Sequence, residues 1–257
     1  TLHEVLRTMP ELVKRLDRTR LSNLMIMMMV INQEDGKPDN YVFNPLESGA
    51  FELVSVDNDH AFVKDSIVKT KYRRRKKVQV KNILFCLDQM REPIDAETVK
   101  MFCELPIAKL LHIWVTDLIR LDENIQGLYT REEEEQYFEE FLQSEGRRGS
   151  MIRLLLAPGS IVQIYEKFTT IQRNLREIPG ITHLELLKRI DPLLGHYYEL
   201  ALNETGLGIY ERFLKVEDGQ YERQAEGGLG TRSSMYTLAS RLEGLVTALP
   251  SETELRE

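Results

Sequence analysis

Apolar side chains recur at steps of three and four residues from residue 2 to residue 16, which is the spacing of a helix with one buried face. Pro10 lies inside this pattern, so we expect two short helical pieces instead of one helix. From residue 21 to residue 31 almost every side chain is apolar, and a helix without a polar face is typical of the centre of a domain. The residues expected to end this buried helix are Asn32, Gly36 and Pro38.

Two short β-prone segments follow the buried helix, over residues 41–43 and 51–56. Turn-forming residues separate them, so the pair predicts a hairpin with a loose turn. Beyond Lys81 the spacing of apolar residues becomes helical almost throughout. The helices predicted there cover residues 83–90, 96–103, 108–119, 132–142, 160–175, 183–190, 193–202 and 235–249. We therefore expect a mainly α fold with one small β hairpin.

The composition describes a chain that folds around a core. Of the 257 residues, 42% are hydrophobic and 29% are charged, which is far from the composition of disordered segments. Lys and Arg total 34 against 41 Asp and Glu, and the resulting net charge of −7 gives no overall attraction to nucleic acid or to an anionic membrane. Any such attraction must come from a local cluster of basic residues.

Two further features bear on the compartment. The longest apolar run, residues 24–31, is much shorter than the ~20 residues that a membrane-spanning helix needs. Cys86 and Cys103 have no CxxC spacing and no neighbouring His cluster, which argues against a zinc site and against a disulfide framework. A cytoplasmic or other reducing intracellular compartment is the expectation.

Three polar residues have a spacing that suits phosphoryl transfer from a nucleotide. Asp35 and Asn40 lie five positions apart on the loop that leaves the buried helix, and Asp57 ends the predicted hairpin. The reaction requires a carboxylate that orients or deprotonates the acceptor, and oxygen ligands that hold magnesium on the phosphates. Helix, loop and hairpin together predict that these groups converge on one site.

Residues 35–40, with the sequence Asp-Gly-Lys-Pro-Asp-Asn, resemble the Asp-Leu-Lys-Pro-Glu-Asn catalytic loop of protein kinases. The longer segment of residues 24–62 is more similar to phosphatidylinositol 3- and 4-kinase-like enzymes. In those enzymes an Asp-Arg-x-x-x-Asn loop precedes a strand that ends in Ile-Asp-Asn or Ile-Asp-Phe-Gly, and here residues 53–58 read Leu-Val-Ser-Val-Asp-Asn. The strong similarity covers about forty residues.

The resemblance implies a role for each of four residues. Asp35 corresponds to the catalytic aspartate, and Lys37 is placed to contact the transferred phosphate. Asn40 corresponds to a magnesium ligand and Asp57 to the principal metal-binding aspartate. ATP and magnesium are the implied cofactors, and the hydroxyl of a phosphoinositide or of a protein is the implied acceptor.

The resemblance also implies an architecture. Residues 1–125 would form the core of the large lobe of a protein-kinase-like fold, and residues 126–257 would form a helical extension. No glycine precedes Gly36, so the glycine-rich loop of a small lobe cannot lie upstream within this sequence. The sequence starts at Thr1 and not at Met, which is consistent with a fragment or a processed product. Without a glycine-rich loop, we expect a large lobe that was cut from a longer protein or that evolved without the small lobe.

The chain departs from the kinase pattern at several positions. Gly36 replaces the usual Arg or Leu, Gln33 and Glu34 stand where a His or a Gly-Asn pair is common, and Asn58 with Asp59 replaces Phe-Gly. A non-catalytic kinase-like module that binds a partner through its helical region is therefore the alternative function. His60 has two interpretations: it faces the phosphates, or it is a structural histidine.

Basic residues cluster where the activation segment of a kinase fold would lie; they are Lys69, Lys71, Arg73, Arg74, Arg75, Lys76 and Lys77. A solvated surface is one interpretation. The others are contact of Arg73, Arg74 and Arg75 with an anionic membrane or phosphoinositide, a nucleic-acid patch, and a localisation signal. Tyr72 is the only aromatic residue in the cluster, so base stacking with a nucleic acid is poorly supported.

Overall fold

A computed structural model of the protein describes residues 1–58, 61–63, 65–69, 76–126 and 159–221. In these ranges the chain is mainly α-helical with a few short strands, as the sequence predicts. No helix in this part of the chain is long and apolar enough to cross a membrane.

The first thirty residues form the predicted helices. Helix α1 (Leu2–Thr8) begins with a capping box, because Thr1 and Glu4 each bind the backbone of the other. A 3-10 turn (Pro10–Arg15) follows, which confirms the break expected at Pro10. Helix α2 (Arg18–Ile31) starts at Asp17, whose side chain accepts a hydrogen bond from the backbone of Arg20.

The strands form three separate two-stranded pairs. Strands β2 (Tyr41–Pro45) and β3 (Phe51–Ser55) make the predicted antiparallel hairpin, with Tyr41 opposite Ser55 and Pro45 opposite Phe51. Strand β1 (Asp35–Gly36) pairs in parallel with β6 (Lys81–Asn82), and β4 (Ile67–Lys69) pairs antiparallel with β5 (Lys76–Val78). The last two pairs were not predicted, since strands of two or three residues give no periodic signal.

Residues 83–90 were predicted as one helix, and the structure corrects this. Two 3-10 turns, Ile83–Cys86 and Asp88–Arg91, stand there instead. Leu87 separates them with the extended angles φ −72° and ψ 142°. Asn82 starts the first turn by accepting a hydrogen bond from the backbone N–H of Leu84, 2.9 Å away. The apolar spacing is helical, but the backbone never completes an α-helical turn.

The remaining described helices are α3 (Ala96–Glu104), α4 (Ile107–Gln126), α5 (Ser160–Glu177), α6 (His183–Ile190), α7 (Pro192–Asn203) and α8 (Ile209–Glu217). Five of them match predicted helices, whereas α8 was missed. The helices predicted at residues 132–142 and 235–249 lie outside the described residues. The predicted domain boundary after residue 125 falls at the end of α4 and stays a prediction.

One hydrophobic core joins the beginning and the end of the described chain. Met25, Ile26 and Met29 of α2 lie at its centre with almost no exposure, as the run of apolar residues predicts. Helices α5 and α6 pack against α2, and α8 packs against the turn Ile83–Cys86. The C-terminal end of α2 is thereby enclosed on several sides, and the candidate site begins at that end.

Candidate functional site

Helix α2 ends at Asn32 in a left-handed conformation. Asn32 has φ 47° and ψ 57°, a region that Asn adopts more readily than most residues. This turn ends the helix where the sequence predicts and directs the chain out of the core toward Asp35. The loop therefore starts from a rigid, buried element.

Gly36 is required by the close approach of strand β6. It is paired in register with Asn82, and a Cβ atom on Gly36 would lie 2.6 Å from Asn82 Cγ and 2.8 Å from Asn82 Cα. Any side chain there would push β6 away. The departure from the Arg or Leu of kinase loops thus has a packing reason in this chain.

Asp35, Lys37 and Asn40 lie together in one hydrogen-bonded loop. Lys37 Nζ is 2.6 Å from Asp35 Oδ2, and both side chains are partly exposed. Asn40 is buried, and its Nδ2 donates to the backbone carbonyl of Asp35 over 2.7 Å. The amide of Asn40 fixes the backbone of Asp35, while the carboxylate of Asp35 faces solvent beside an ammonium group.

Asp57 joins this loop through the register of the hairpin. The backbone N–H of Val56 donates to the carbonyl of Asn40 over 3.0 Å, which extends the pairing of β2 with β3 by one position. Asp57 follows directly and is exposed. The four residues predicted from sequence therefore lie on two adjoining segments of backbone.

Lys37 interacts electrostatically with several carboxylates of the site. Its hydrogen bond to Asp35 and the negative charge of that carboxylate raise the pKa of Lys37, and the charges of Asp57 and Asp39 raise it further. Lys37 therefore stays protonated at neutral pH. Several carboxylates surround one cation at a solvent-accessible position, a distribution that a bound divalent cation would further neutralise.

Gln33 is a site residue that the sequence did not reveal. Its Nε2 donates to the backbone carbonyl of Asp57 over 2.5 Å and to Asn58 Oδ1 over 3.1 Å. Gln33 is almost fully buried, and it directly joins the segment before Asp35 to the segment that contains Asp57. A polar residue directly after an apolar helix was the available signal.

Buried polar side chains hold Gln33 in place through hydrogen bonds. The Tyr41 hydroxyl lies 2.9 Å from Gln33 Oε1 and 3.1 Å from Asn82 Oδ1. The backbone N–H of Asn82 donates in turn to the hydroxyl of Tyr198 over 2.7 Å. Burial raises the pKa of both tyrosines well above its usual range, so both phenols remain neutral. These hydrogen bonds connect Gln33, through Tyr41 and Asn82, to Tyr198 and so hold the start of the loop in place.

A cleft of about 420 Å³ opens beside Asp35. Its lining combines acidic and basic side chains from the loop, from β5 and β6, and from the end of α8, including Glu34, Asp35, Lys77, Lys81 and Glu217. Lys81 Nζ donates to the carbonyl of Glu217 over 3.0 Å, which closes one wall. The cleft gives a second molecule room to approach the Asp35 carboxylate.

Several predicted features lie outside the described residues, among them Asp59, His60, Arg73, Arg74 and Arg75. Within the described ranges no group of three or more His, Cys, Asp or Glu side chains is arranged to hold a metal ion. Asn40 and Asp57 instead offer one amide oxygen and one carboxylate. Such a set suits magnesium that is also bound by phosphates, since magnesium commonly takes only one or two protein carboxylates.

Comparison of the chain with protein-family models, with curated proteins and with solved structures found no match. The resemblance to kinase-fold enzymes therefore depends on the residues of the loop and the hairpin described above.

Proposed function

We propose that this chain carries the phosphoryl-transfer site of an ATP- and magnesium-dependent phosphotransferase, within a protein-kinase-like large lobe that belongs to a longer chain. The acceptor is the hydroxyl of a phosphoinositide or of a protein. The observation that supports this function is the meeting of Asp35, Lys37, Asn40 and Asp57 on two adjoining backbone segments, with Asp35 lining an open cleft.

Asp35 orients the acceptor hydroxyl and receives its proton. Its carboxylate is partly exposed, borders the cleft and has a backbone fixed by Asn40. Lys37 forms an ion pair with this carboxylate and supplies a positive charge for the transferred phosphoryl group. Phosphoryl transfer relies on such positioning and charge stabilisation more than on covalent chemistry by the protein.

Asp57 and Asn40 would hold the magnesium ion that accompanies the nucleotide. Asp57 is exposed two residues after β3 ends. Asn40 uses its Nδ2 for Asp35, which leaves its Oδ1 as the oxygen for a cation. Magnesium, when bound, neutralises charge on the phosphate oxygens. Gln33 keeps the backbone of Asp57 at a constant position relative to the loop.

A binding measurement tests this function more directly than turnover. The phosphate-binding lysine and glycine-rich loop of kinase folds belong to a small lobe, so we expect this chain to bind the nucleotide weakly and to turn over slowly. Calorimetric titration with ATP and magnesium should show binding that Asp57→Asn abolishes without unfolding the chain. Asp117→Asn, on the surface of α4, is the matched control. Equal affinity in both variants would contradict the metal-binding role of Asp57.

The alternative is a non-catalytic module that binds a partner through its helical region. Exposed apolar side chains on α4 and α5, such as Ile113 and Val162, are the feature that favours it. A chain that binds no magnesium nucleotide, while Ile113→Asp and Val162→Asp disrupt a complex formed by the parent protein, would favour this alternative.

Contact of Arg73, Arg74 and Arg75 with an anionic membrane remains part of the proposal for a phosphoinositide acceptor. Each basic residue near such a surface contributes about 1 kcal/mol. Replacement of the three by Gln should therefore weaken binding to phosphoinositide vesicles without affecting the fold. Equal vesicle binding by the variant at low salt would assign these residues to a solvated surface.

A further inference from the structure

The end of α2 anchors both segments of the candidate site. On one side the chain continues from Asn32 through Gln33 to Asp35. On the other side the segment after Asp57 returns to the helix, because the backbone N–H of Phe62 donates to the carbonyl of Ile31 and Asn32 Nδ2 donates to the carbonyl of Val63 over 3.1 Å. The helix end is thus bonded to residues 62–63, and the adjacent Gln33 is bonded to the carbonyl of Asp57.

A lysine from a distant part of the sequence binds this helix end. Lys167 of α5 places its Nζ 2.6 Å from Asn32 Oδ1 and 3.2 Å from the carbonyl of Met29. The last turn of α2 contains no basic residue of its own. The ammonium group of Lys167 therefore supplies the positive charge that complements the negative end of the helix dipole.

The burial of the Lys167 ammonium group has an energetic cost. Burial lowers the pKa of Lys167 from 10.5 to about 8, although the charge of Asp191 acts in the opposite direction. Between these two values the unfolded chain binds more protons than the folded chain, so the contribution of this group to stability rises with pH. At neutral pH the ammonium form of Lys167 is therefore less favourable for folding than its neutral amine form would be.

We propose that Lys167 is a positioning residue of the candidate site, whose ammonium group holds Asn32 and the last turn of α2 and thereby fixes the Asp35 and Asp57 segments relative to each other. The hydrogen bonds at the helix end carry this inference. Its consequence for nucleotide binding rests on the proposed function, whereas its consequence for the backbone of the two segments does not.

Hydrogen–deuterium exchange of the full chain tests the positioning role. In Lys167→Met, which keeps the aliphatic stem and removes the charge, amides in residues 31–35, 56–58 and 61–63 should exchange about tenfold faster or more, the size expected when charge-assisted hydrogen bonds are lost. Exchange elsewhere in the chain should stay unchanged, and the variant should remain folded. Lys167→Arg should retain most of the protection. Lys188→Met, which removes a surface ion pair with Glu199, is the matched control and should leave both segments protected.

Three results would overturn the proposal: unchanged exchange in both segments, faster exchange spread evenly over the chain, or an unfolded Lys167→Met variant. Titration with ATP and magnesium then separates the two proposals. If the parent chain binds no nucleotide but Lys167→Met loosens both segments, the positioning role stands and the proposed function fails. If the parent chain binds nucleotide and Lys167→Met binds it equally well with unchanged exchange, the proposed function stands and the positioning role fails.

Discussion

In the described part of this protein, the ion pair Asp35–Lys37 and the buried pair Ser22–His183 differ in exposure and in charge. Asp35 and Lys37 are partly exposed and oppositely charged, and Asp35 lines a cleft of about 420 Å³. Ser22 and His183 line a cavity of about 480 Å³ but are almost fully buried, with His183 Nε2 3.0 Å from Ser22 Oγ. The volumes are similar, so volume alone does not identify a reactive site.

The hydrogen bonds of the buried pair explain its different role. His183 Nδ1 lies 3.3 Å from the carbonyl of Glu92, and Ser22 Oγ accepts from the backbone N–H of Asp95 over 3.3 Å. Both ring nitrogens and the hydroxyl are thus engaged inside the protein, which is typical of a structural histidine. The loop around Asp35 instead presents charged oxygens to solvent.

The largest expected effect concerns the pH dependence caused by His183. Burial lowers its pKa from 6.5 to about 4, so the unfolded chain binds more protons between these values and stability falls as the pH drops through them. Such a difference corresponds to roughly 3 kcal/mol of unfolding free energy lost between pH 7 and pH 4. Denaturant unfolding at several pH values should show a smaller loss in His183→Gln.

The next effect is expected at Gly36, where a new Cβ would collide with β6. We expect Gly36→Ala to lower the unfolding free energy by about 1–3 kcal/mol, as overpacking commonly does. Urea denaturation measures the change. Removal of the Asn82 side chain in a Gly36→Ala/Asn82→Ala variant should restore part of this loss relative to Asn82→Ala alone. Full tolerance of Gly36→Ala would contradict the close approach of β1 and β6.

A smaller effect is expected from Tyr198→Phe, which leaves the buried backbone N–H of Asn82 without its acceptor. An unsatisfied buried donor costs about 1–3 kcal/mol, and we place this change near the lower end because only one hydroxyl is lost. Chemical denaturation should detect the change. Tyr210→Phe, at a partly buried ring against His3, is the control and should have little effect.

The smallest effect on stability is expected at the exposed group. Lys37→Met removes a partly solvated ion pair, and such pairs contribute little to folding. The denaturation midpoint should therefore stay close to that of the parent chain, while the affinity for ATP with magnesium falls. A large loss of stability with unchanged nucleotide affinity would show that Lys37 stabilises the loop. Lys37 would then have a structural role, as His183 does.

The sequence revealed elements and residues that depend on neighbours along the chain. Helix α2, the hairpin and the proximity of Asp35 to Asn40 follow from local spacing of apolar and turn-forming residues. The contacts of Gly36 with Asn82, of Asn82 with Tyr198, and of Lys167 with Asn32 join residues that are far apart in sequence. No periodic pattern in the sequence indicates such long-range contacts, so these contacts that hold the loop could not be predicted.

The distance in sequence between Asn82 and Tyr198 also has a consequence for synthesis. The two residues are 116 positions apart, and Lys167 follows Asn32 by 135 positions. Because a chain leaves the ribosome from its N-terminus, the loop of Asp35 emerges long before the residues that hold it. A nascent chain that stops before residue 160 therefore contains every proposed catalytic side chain but lacks Lys167 and Tyr198, and full nucleotide binding should arise only when translation has passed residue 198.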